Sequence, residues 1–197
     1  WRMSLGGRLT FIKGDLRNTS DVAKLIGFLS HADAVLHLAA QVAVTPSVLN
    51  PREDFEINAL GTLNLLEAML AAKSTAKLIY SSTNKVYGGM ESVTIKKLPP
   101  RYAYKDLLHG VPESFPLDFH SPYGCSKGTA DQYVRDYSRI YGLKTVVFRQ
   151  SCIYGPRQFG IEDQGWVAWF IIAINSGKPI TLYGDGKQVR DLLYVED

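Results

Sequence analysis

The chain has 197 residues, of which 46% are hydrophobic and 21% charged, and its formal net charge is +3. This composition excludes a disordered chain, which needs low hydrophobicity and high net charge, and the length predicts one domain or one domain with part of another. No apolar run reaches the roughly 20 residues of a membrane-spanning helix, and the basic residues are not clustered enough to indicate a nucleic-acid partner.

The predicted elements alternate between strands and helices, assigned from β-type runs and from apolar residues at helical spacing. In chain order they are a strand at residues 9–12, a helix at 22–29, a strand at 34–40, a helix at 51–70, a strand at 77–80, a helix at 122–141, a strand at 145–148, a helix at 164–176, and strands at 180–183 and 189–195. Residues 88–121 lose this periodicity and contain four prolines, so we expect a long loop that is either functional or disordered.

This alternation predicts an α/β fold, with a doubly wound parallel sheet covered by helices on both faces. In such sheets, ligands bind at the carboxyl ends of the strands. The segments that follow the predicted strands are all small or polar, namely Gly14-Asp15 and residues 39–41, 81–83 and 149–151. We therefore expect one binding cleft at this edge of the sheet.

A tyrosine and a lysine stand four residues apart at the start of the predicted helix at 122–141, as Tyr123 and Lys127. Residues at this spacing share a helix face, and a nearby ammonium lowers the pKa of a phenol, so Tyr123 is a candidate general base. The same spacing also occurs by chance on helix surfaces. The hydroxyls of residues 81–83 supply further hydrogen-bond donors for a reacting alcohol or ketone.

Several other residues have structural interpretations. His37, inside a predicted strand, is expected in the core, and the tryptophans Trp166 and Trp169 are expected to pack in a core or a subunit interface. Asp131 and Asp136 are expected to be surface charges on the helix at 122–141.

The two cysteines, Cys125 and Cys152, match no metal-binding or disulfide pattern. We expect no metal site, two buried thiols and a reducing, cytoplasmic compartment. The first residues lack the apolar stretch of a signal peptide, and both ends interrupt the pattern of elements, so we expect a fragment of a longer chain.

Six segments form a set with a more specific meaning: HLAA at 37–40, N-A-x-G-T at 58–62, SSTNKVYG at 81–88, SPYGCSK at 121–127, FR at 148–149 and YGP at 154–156. Together they resemble the extended short-chain dehydrogenase/reductase family, which comprises NAD-dependent nucleotide-sugar epimerases, dehydratases and their relatives. The resemblance implies a Rossmann-like sheet and NAD as the cofactor. It also implies a partial NAD-binding domain over residues 1–155 and part of a smaller nucleotide-sugar-binding lobe over 156–197.

By position, the resemblance makes Tyr123 the catalytic base, Lys127 the residue that lowers its pKa and holds the nicotinamide ribose, and Thr83 the partner of the reacting oxygen. The cofactor-binding residues that it implies are Asp15, Leu16, Leu38, Ala39, Ala40, Gln41, Asn58, Ser81, Ser82, Tyr123, Lys127 and Gln150. The substrate-binding residues that it implies are Thr83, Asn84, Lys85, Gln150 and Arg190. It implies no metal.

Within the family, the stretches at 117–143, 157–170 and 184–197 most resemble the CDP-paratose 2-epimerase branch. That resemblance implies inversion of C2, from CDP-paratose to CDP-tyvelose, through a transient keto-sugar, in O-antigen biosynthesis. Sugar dehydratases of the family carry Asp-Glu where this chain has Asn84-Lys85, so no acid is placed to protonate a leaving hydroxyl. An epimerase acting at C4, a nucleotide-sugar reductase and a non-catalytic scaffold remain open.

The implied partner is a CDP-linked deoxysugar, and the helices at 52–72 and 122–141 are candidates for a homo-oligomer interface. The glycine-rich G-x-x-G-x-x-G turn of the family is absent, because Gly6-Gly7 does not follow a strand. We therefore expect this chain alone to bind NAD poorly, to show little turnover and to expose an apolar sheet edge that favours aggregation.

Overall fold

The computed structural model describes residues 9–197, so the Gly6-Gly7 pair lies outside the described residues. The helices are α1 (Thr19–Ala23), α2 (Ile26–Leu29), α3 (Val44–Leu49), α4 (Pro51–Phe55), α5 (Gly61–Ala71), α6 (Ser121–Tyr141) and α7 (Trp166–Asn175). The strands are β1 (Ala34–His37), β2 (Lys77–Ser81), β3 (Ile95–Lys97), β4 (Tyr102–Tyr104), β5 (Lys144–Phe148), β6 (Cys152–Tyr154) and β7 (Leu192–Tyr194). A π-helical turn (Glu56–Leu60) joins α4 to α5, and a 3₁₀ turn (Asn84–Tyr87) follows β2.

A three-stranded parallel sheet in the order β1-β2-β5 forms the centre of the fold. Its register pairs Ala34 with Lys77 and Lys77 with Lys144, so the three strands end at one edge. Helices α5 and α6 contribute to a core in which Leu66, Met69 and Val134 are fully buried. The predicted α/β architecture with a parallel sheet is confirmed.

Among residues 9–197, the helices cover only one face of this sheet. The apolar character of the strands had led us to expect helices on both faces. The other face carries Leu36, Val146 and Phe148, which are 66%, 46% and 49% exposed. The strand order explains the difference, because the chain moves in the same direction from β1 to β2 to β5. Right-handed crossovers that advance in one direction place their helices on one side of a sheet.

The longest predicted helix is observed as α6, which begins at Ser121 and ends at Tyr141. Pro122 stands in its first turn, where the missing N–H breaks no helical hydrogen bond. Gly142 ends the helix in the left-handed conformation, with φ 71°. The predicted helix at 51–70 is instead made of α4, the π turn and α5, because a wider turn interrupts the α-helical hydrogen bonding around Asn58.

The strand predictions for the first and last parts of the chain need correction. Residues 9–12 and 180–183 form no strand, and β7 covers only the centre of the predicted strand at 189–195. β-type side chains form a strand only where a neighbouring strand supplies hydrogen-bond partners. β7 has such a neighbour in β6, with Cys152 paired to Leu192 in parallel.

Three smaller features also differ from the sequence predictions. The helix predicted at 22–29 is divided into α1 and α2, the loop at 88–121 contains the antiparallel hairpin β3–β4, and α3 was not predicted. Cys125 is exposed and Cys152 is half-buried, both as free thiols, because Cys125 lies on the outer side of α6. Among residues 9–197, no helix is long and apolar enough to cross a membrane.

Candidate active site

The polar segments after β1, β2 and β5 meet at one edge of the sheet, as predicted. Ser81 Oγ donates a hydrogen bond to Gln150 Oε1 over 2.7 Å, and the Asn84 N–H donates to the Gln150 carbonyl over 2.9 Å. The Gln41 N–H, after β1, donates to Asn58 Oδ1 over 2.9 Å. The first two bonds join the end of β2 to the segment after β5, and the third joins the segment after β1 to the π turn.

Tyr123 occupies the first turn of α6, above this edge. Its backbone N–H donates to Ser47 Oγ of α3 over 3.1 Å, which fixes the start of α6. Burial raises the pKa of the Tyr123 phenol, a hydrogen bond with the Thr83 side chain acts in the opposite direction, and the Asp54 charge raises it further. Thr83 itself is held at the end of β2, where Oγ1 accepts a hydrogen bond from the Lys85 N–H over 3.2 Å.

Lys127 follows one helical turn later and is 4% exposed. Its ammonium donates to the Ser81 carbonyl and lies 4.5 Å from the centre of the Tyr80 ring. Burial lowers the pKa of Lys127 to about 8, against the opposing effect of Asp131 and Asp54. The ammonium is thus directed at the Ser81 carbonyl and the Tyr80 ring, and the predicted lowering of the Tyr123 pKa by Lys127 stays a prediction.

A cluster that the sequence did not predict lies behind this pair. The Asp54 carboxylate accepts hydrogen bonds from Ser126 Oγ over 2.5 Å and from Asn58 Nδ2 over 3.2 Å. Asn58 Nδ2 also contacts Ser126 Oγ at 3.0 Å. Asn58 is therefore held in place by Asp54 and Ser126, and its role beside the cofactor stays a prediction. The four-residue spacing of Asp54 from Asn58 is the sequence pattern that could have indicated this cluster.

Asp131 was expected on the surface, and this expectation is wrong. The residue is 0% exposed, because α6 packs its Lys127–Asp131 side against the sheet. Arg149 Nε and Nη2 donate to the two Asp131 carboxylate oxygens over 2.9 and 3.0 Å, and Ser82 Oγ donates to one of them over 2.9 Å. The four-residue spacing from Lys127 placed Asp131 on the same helix face, and that spacing was the available signal.

His37 is a core residue, as predicted, with 3% exposure. Its Nε2 lies 2.9 Å from Thr62 Oγ1, and its ring packs on Tyr80 at 5.4 Å between centroids. Burial lowers the pKa of His37 to about 4, and the Lys127 charge adds to this effect. His37 is therefore a neutral support of the sheet.

The residues predicted for the cofactor form two groups. Leu38, Ala39, Ala40 and Gln41 lie at the end of β1, where Leu38 and Ala39 are exposed and Ala40 is half-buried. Asp15 and Leu16 lie beside a surface depression that also includes Gly14 and Leu25, and Asn64 Nδ2 of α5 donates a hydrogen bond to the Leu16 carbonyl over 2.8 Å. Arg17 holds the pKa of the exposed Asp15 carboxyl below its usual range through direct hydrogen bonds.

The residues predicted for the substrate are less closely joined. Asn84 and Lys85 are exposed beside Thr83, and Gln150 is tied to Ser81. The described contacts of Arg190 are limited to a 3.2 Å hydrogen bond to the Val189 carbonyl, so the structure does not bring it against the other predicted residues. Gln150 and Arg190 each stand two residues before a paired position, Cys152 of β6 and Leu192 of β7 respectively. No group of three metal-ligating side chains occurs in residues 9–197.

The fold and the site together define the class of protein. A Rossmann-like parallel sheet carries a Tyr–Lys pair on one helix, a hydroxyl at the end of the neighbouring strand and a buried Asn behind them, which is the arrangement expected of an extended short-chain dehydrogenase/reductase. The sequence profile of the family described as "NAD dependent epimerase/dehydratase family" matches residues 2–197. The chain belongs to this family, and the predicted resemblance is confirmed.

Known relatives are similar over nearly the whole chain. The chain is 54% identical to CDP-paratose 2-epimerase of Salmonella typhi over 100% of its own length and 59% of the relative. It is 34% identical to a putative UDP-glucose 4-epimerase of Methanocaldococcus jannaschii, over 98% of this chain and 58% of that protein. The structure of Thermus thermophilus UDP-glucose 4-epimerase in complex with NAD superposes with a TM-score of 0.79 and 35% identity, over 99% of this chain and 59% of that one. The chain thus spans less than two thirds of the length of these relatives.

Proposed function

We propose that the protein is an NAD-dependent nucleotide-sugar epimerase that inverts C2 of a CDP-linked deoxysugar, converting CDP-paratose to CDP-tyvelose. The observation that carries this proposal is the meeting of Tyr123, Thr83 and Lys127 at the carboxyl edge of the sheet. The chain in which they meet is 54% identical to CDP-paratose 2-epimerase. A positioned acid–base group beside hydroxyl partners is what an alcohol–ketone interconversion needs.

The proposed proton transfer is made by Tyr123. Its phenolate takes the proton from a sugar hydroxyl during oxidation, and the phenol that this forms returns the proton during reduction. The interaction of the Thr83 side chain with Tyr123, which acts to lower the Tyr123 pKa, supports Thr83 as the partner of the same reacting oxygen. The keto-sugar presents its other face before the return step, so the net reaction inverts one carbon without net oxidation.

The residues at the strand ends fit a dinucleotide. Ala39 and Ala40 leave the backbone beside β1 accessible, and Asn58 orients the Gln41 N–H. Ser81, Ser82, Gln150 and Lys127 supply hydroxyl, amide and ammonium groups that suit a ribose, while Asp15, Leu16 and Leu38 are assigned to the adenine end and the wall beside it. NAD, when bound, supplies the hydride acceptor for the oxidation and the hydride donor for the reduction.

We assign the nucleotide-sugar side to Asn84, Lys85, Gln150 and Arg190. An arginine fork matches the oxygens of a diphosphate, which supports Arg190 in this role. The exposed Asn84-Lys85 pair offers no carboxyl group to protonate a leaving hydroxyl, and this supports epimerisation over dehydration.

The proposal is tested by incubating the complete gene product with CDP-paratose and a trace of NAD and following the sugar by ¹H NMR. We expect CDP-tyvelose to form up to equilibrium, with no stoichiometric change in absorbance at 340 nm. Tyr123→Phe should lower kcat by about 10²–10⁴-fold and leave NAD affinity within about twofold, because it removes only the acid–base group.

The control is Tyr133→Phe on the same helix, where the side chain is 44% exposed and should not affect turnover. Activity that survives Tyr123→Phe would refute the assigned base. Product formation only with stoichiometric reduced cofactor would identify a reductase instead.

A second candidate function is C4 epimerisation. It is favoured by the 34% and 35% identity to the two UDP-glucose 4-epimerases and by the TM-score of 0.79. UDP-glucose in the same assay separates the two, because a C4 epimerase yields UDP-galactose.

We further propose that the enzyme is a cytoplasmic homo-oligomer that acts in O-antigen synthesis, with an NAD-binding part over residues 1–155 and a sugar-binding part over 156–197. The oligomer is supported by apolar side chains on the outer sides of α4 and α6, where Phe55 and Ile140 are 52% and 66% exposed. Sedimentation velocity of the complete gene product tests it, and Ile140→Glu should shift the species towards monomer.

A further inference from the structure

Asp54 is one of two buried carboxylates among residues 9–197, and it is 1% exposed. The other, Asp131, forms a salt bridge with Arg149. Within the same part of the chain, Asp54 forms no salt bridge and accepts hydrogen bonds only from the neutral groups of Ser126 and Asn58. Burial raises the pKa of the Asp54 carboxyl, whereas the Ser126 hydrogen bond and the Lys127 charge act in the opposite direction and stabilise the carboxylate.

The two neutral partners of Asp54 belong to the two elements that form the site. Ser126 stands between Tyr123 and Lys127 on α6, and its Oγ lies 3.2 Å from the Tyr123 carbonyl. Asn58 lies in the π turn and accepts the Gln41 N–H with its Oδ1. Turns of the π type occur frequently at functional sites. A single carboxylate therefore connects the first turns of α6 with the end of β1.

The charge of Asp54 also has a counterpart, the ammonium of Lys127. The two groups interact electrostatically, each stabilising the charged form of the other. Asp131 also acts on Lys127, but its own charge is matched by Arg149. Five ionisable side chains surround Lys127: Asp54 on α4, Tyr123 and Asp131 on α6, His37 on β1 and Tyr80 on β2. Helix α3, which also packs against α6, has no ionisable side chain.

We propose that Asp54 is a positioning residue of this site, whose carboxylate holds Ser126 and Asn58 in place and supplies the negative charge that balances the Lys127 ammonium. Its effect on turnover rests on the proposed epimerase function, whereas its effect on Lys127 does not. Because Asp54 raises the pKa of both Lys127 and Tyr123, its neutralisation lowers both.

The test compares wild type with Asp54→Asn and with Asp136→Asn, a matched loss of an exposed carboxylate on α6. ¹³Cε-lysine NMR follows the titration of Lys127 in the complete gene product without substrate. We expect the Lys127 titration to move down by about one pH unit in Asp54→Asn and to stay unchanged in Asp136→Asn. In the epimerase assay, Asp54→Asn should lower kcat about tenfold with KM within about twofold, and the acid limb of the pH–rate profile should move to lower pH.

An unchanged Lys127 titration and an unchanged pH–rate profile in Asp54→Asn would overturn the proposal. If the wild-type protein shows no turnover of any nucleotide sugar, the proposed function fails, while the Lys127 titration still decides the charge balance. If Asp54→Asn does not fold, ¹³Cγ-aspartate spectra of the wild type locate the protonation of Asp54. The Lys127 resonance must then respond at that same pH, and no response would equally overturn the proposal.

Discussion

Three charged side chains lie buried behind the strand ends, and each is stabilised by a different kind of partner. Asp131 has the Arg149 guanidinium, Asp54 has the hydroxyl of Ser126 and the amide of Asn58, and Lys127 has a carbonyl oxygen and an aromatic ring. Because a buried charge without a partner costs several kcal/mol, loss of any one partner affects folding as well as the site.

The Arg149–Asp131 pair provides a stability prediction. Arg149→Gln leaves the fully buried Asp131 without its cation, so we expect the free energy of unfolding to fall by about 3–5 kcal/mol. Urea denaturation measures this loss. Arg52→Gln is the control, because Arg52 is 88% exposed in its pair with Glu56 and its loss should change the free energy by less than about 1 kcal/mol. Equal losses in both variants would contradict the prediction.

The lowered pKa of His37 predicts how the free energy of unfolding depends on pH. Its folded-state pKa of about 4 lies below the unfolded value of 6.5, so the unfolded chain binds a proton first as the pH falls. The stability that neutral His37 contributes is therefore fully present above about pH 6.5 and is lost between about pH 6.5 and 4, by about 3 kcal/mol in total. Urea unfolding of wild type and His37→Gln at pH 7 and pH 4.5 should show the smaller pH dependence in the variant. The exposed His109→Gln serves as the control and should behave as wild type.

Among the elements, the two helical segments that carry the site owe their geometry to different features, a π turn in one and well-defined helix ends in the other. The helix before β2 contains the π turn, which directs Asn58 towards the site rather than along the regular α-helical face. Helix α6 is regular over 21 residues, and its ends are determined by Pro122 and Gly142. Tyr123, Lys127 and Asp131 recur every four residues on it, so one straight face brings all three to the sheet edge.

The end of α6 can be tested with a pair of glycine substitutions. Gly142→Ala places a side chain at φ 71°, a conformation that favours glycine, so we expect about 1 kcal/mol of destabilisation. Gly27→Ala is the matched control, because Gly27 lies inside α2 and a Cβ there would meet no atom within 4 Å. Alanine should stabilise that helix by up to about 1 kcal/mol. Thermal denaturation of both variants measures the contrast, and equal signs would refute the assigned helix end.

At the scale of the whole molecule, the one-sided packing of the sheet is the dominant feature of the described residues. Leu36 of β1, Ile79 of β2 and Val146 of β5 are paired in register on this face, and Phe148 follows two residues after Val146, so the four side chains form a continuous apolar stripe. Apolar surfaces of this kind promote association when nothing covers them.

We therefore expect the 197-residue chain to self-associate at micromolar concentration, and Leu36→Thr with Phe148→Thr to reduce this association at least severalfold. Static light scattering over a concentration series measures it. Leu108→Thr is the control, since Leu108 is 80% exposed in a loop away from the sheet and its replacement should have no effect. Association that is insensitive to the sheet-face variants would show that another surface is responsible.

The sequence was sufficient to predict the alternation of elements, the helix at 122–141, the three sheet strands and most of the residues at their carboxyl ends. Local information determines these features, because hydrophobic periodicity, a proline in the first turn and a glycine after the last turn act within a few residues. The hydroxyls of residues 81–83 were predicted at this edge because parallel strands end together wherever they form. The roles of Tyr123, Lys127 and Thr83 came from the resemblance to the family, and they stay predictions.

The tertiary structure alone decided which charges are buried and what each polar group contacts. The spacing from Lys127 puts Asp131 on the site face of the helix, but its cation, Arg149, 18 residues later, is brought to it only by the pairing of β5 with β2. Asp54 and Ser126 are 72 residues apart, and the direction of the Lys127 ammonium depends on a carbonyl of β2. The one-sided sheet follows from the strand order. Such features depend on the register and direction of contacts between distant segments, which no local pattern encodes.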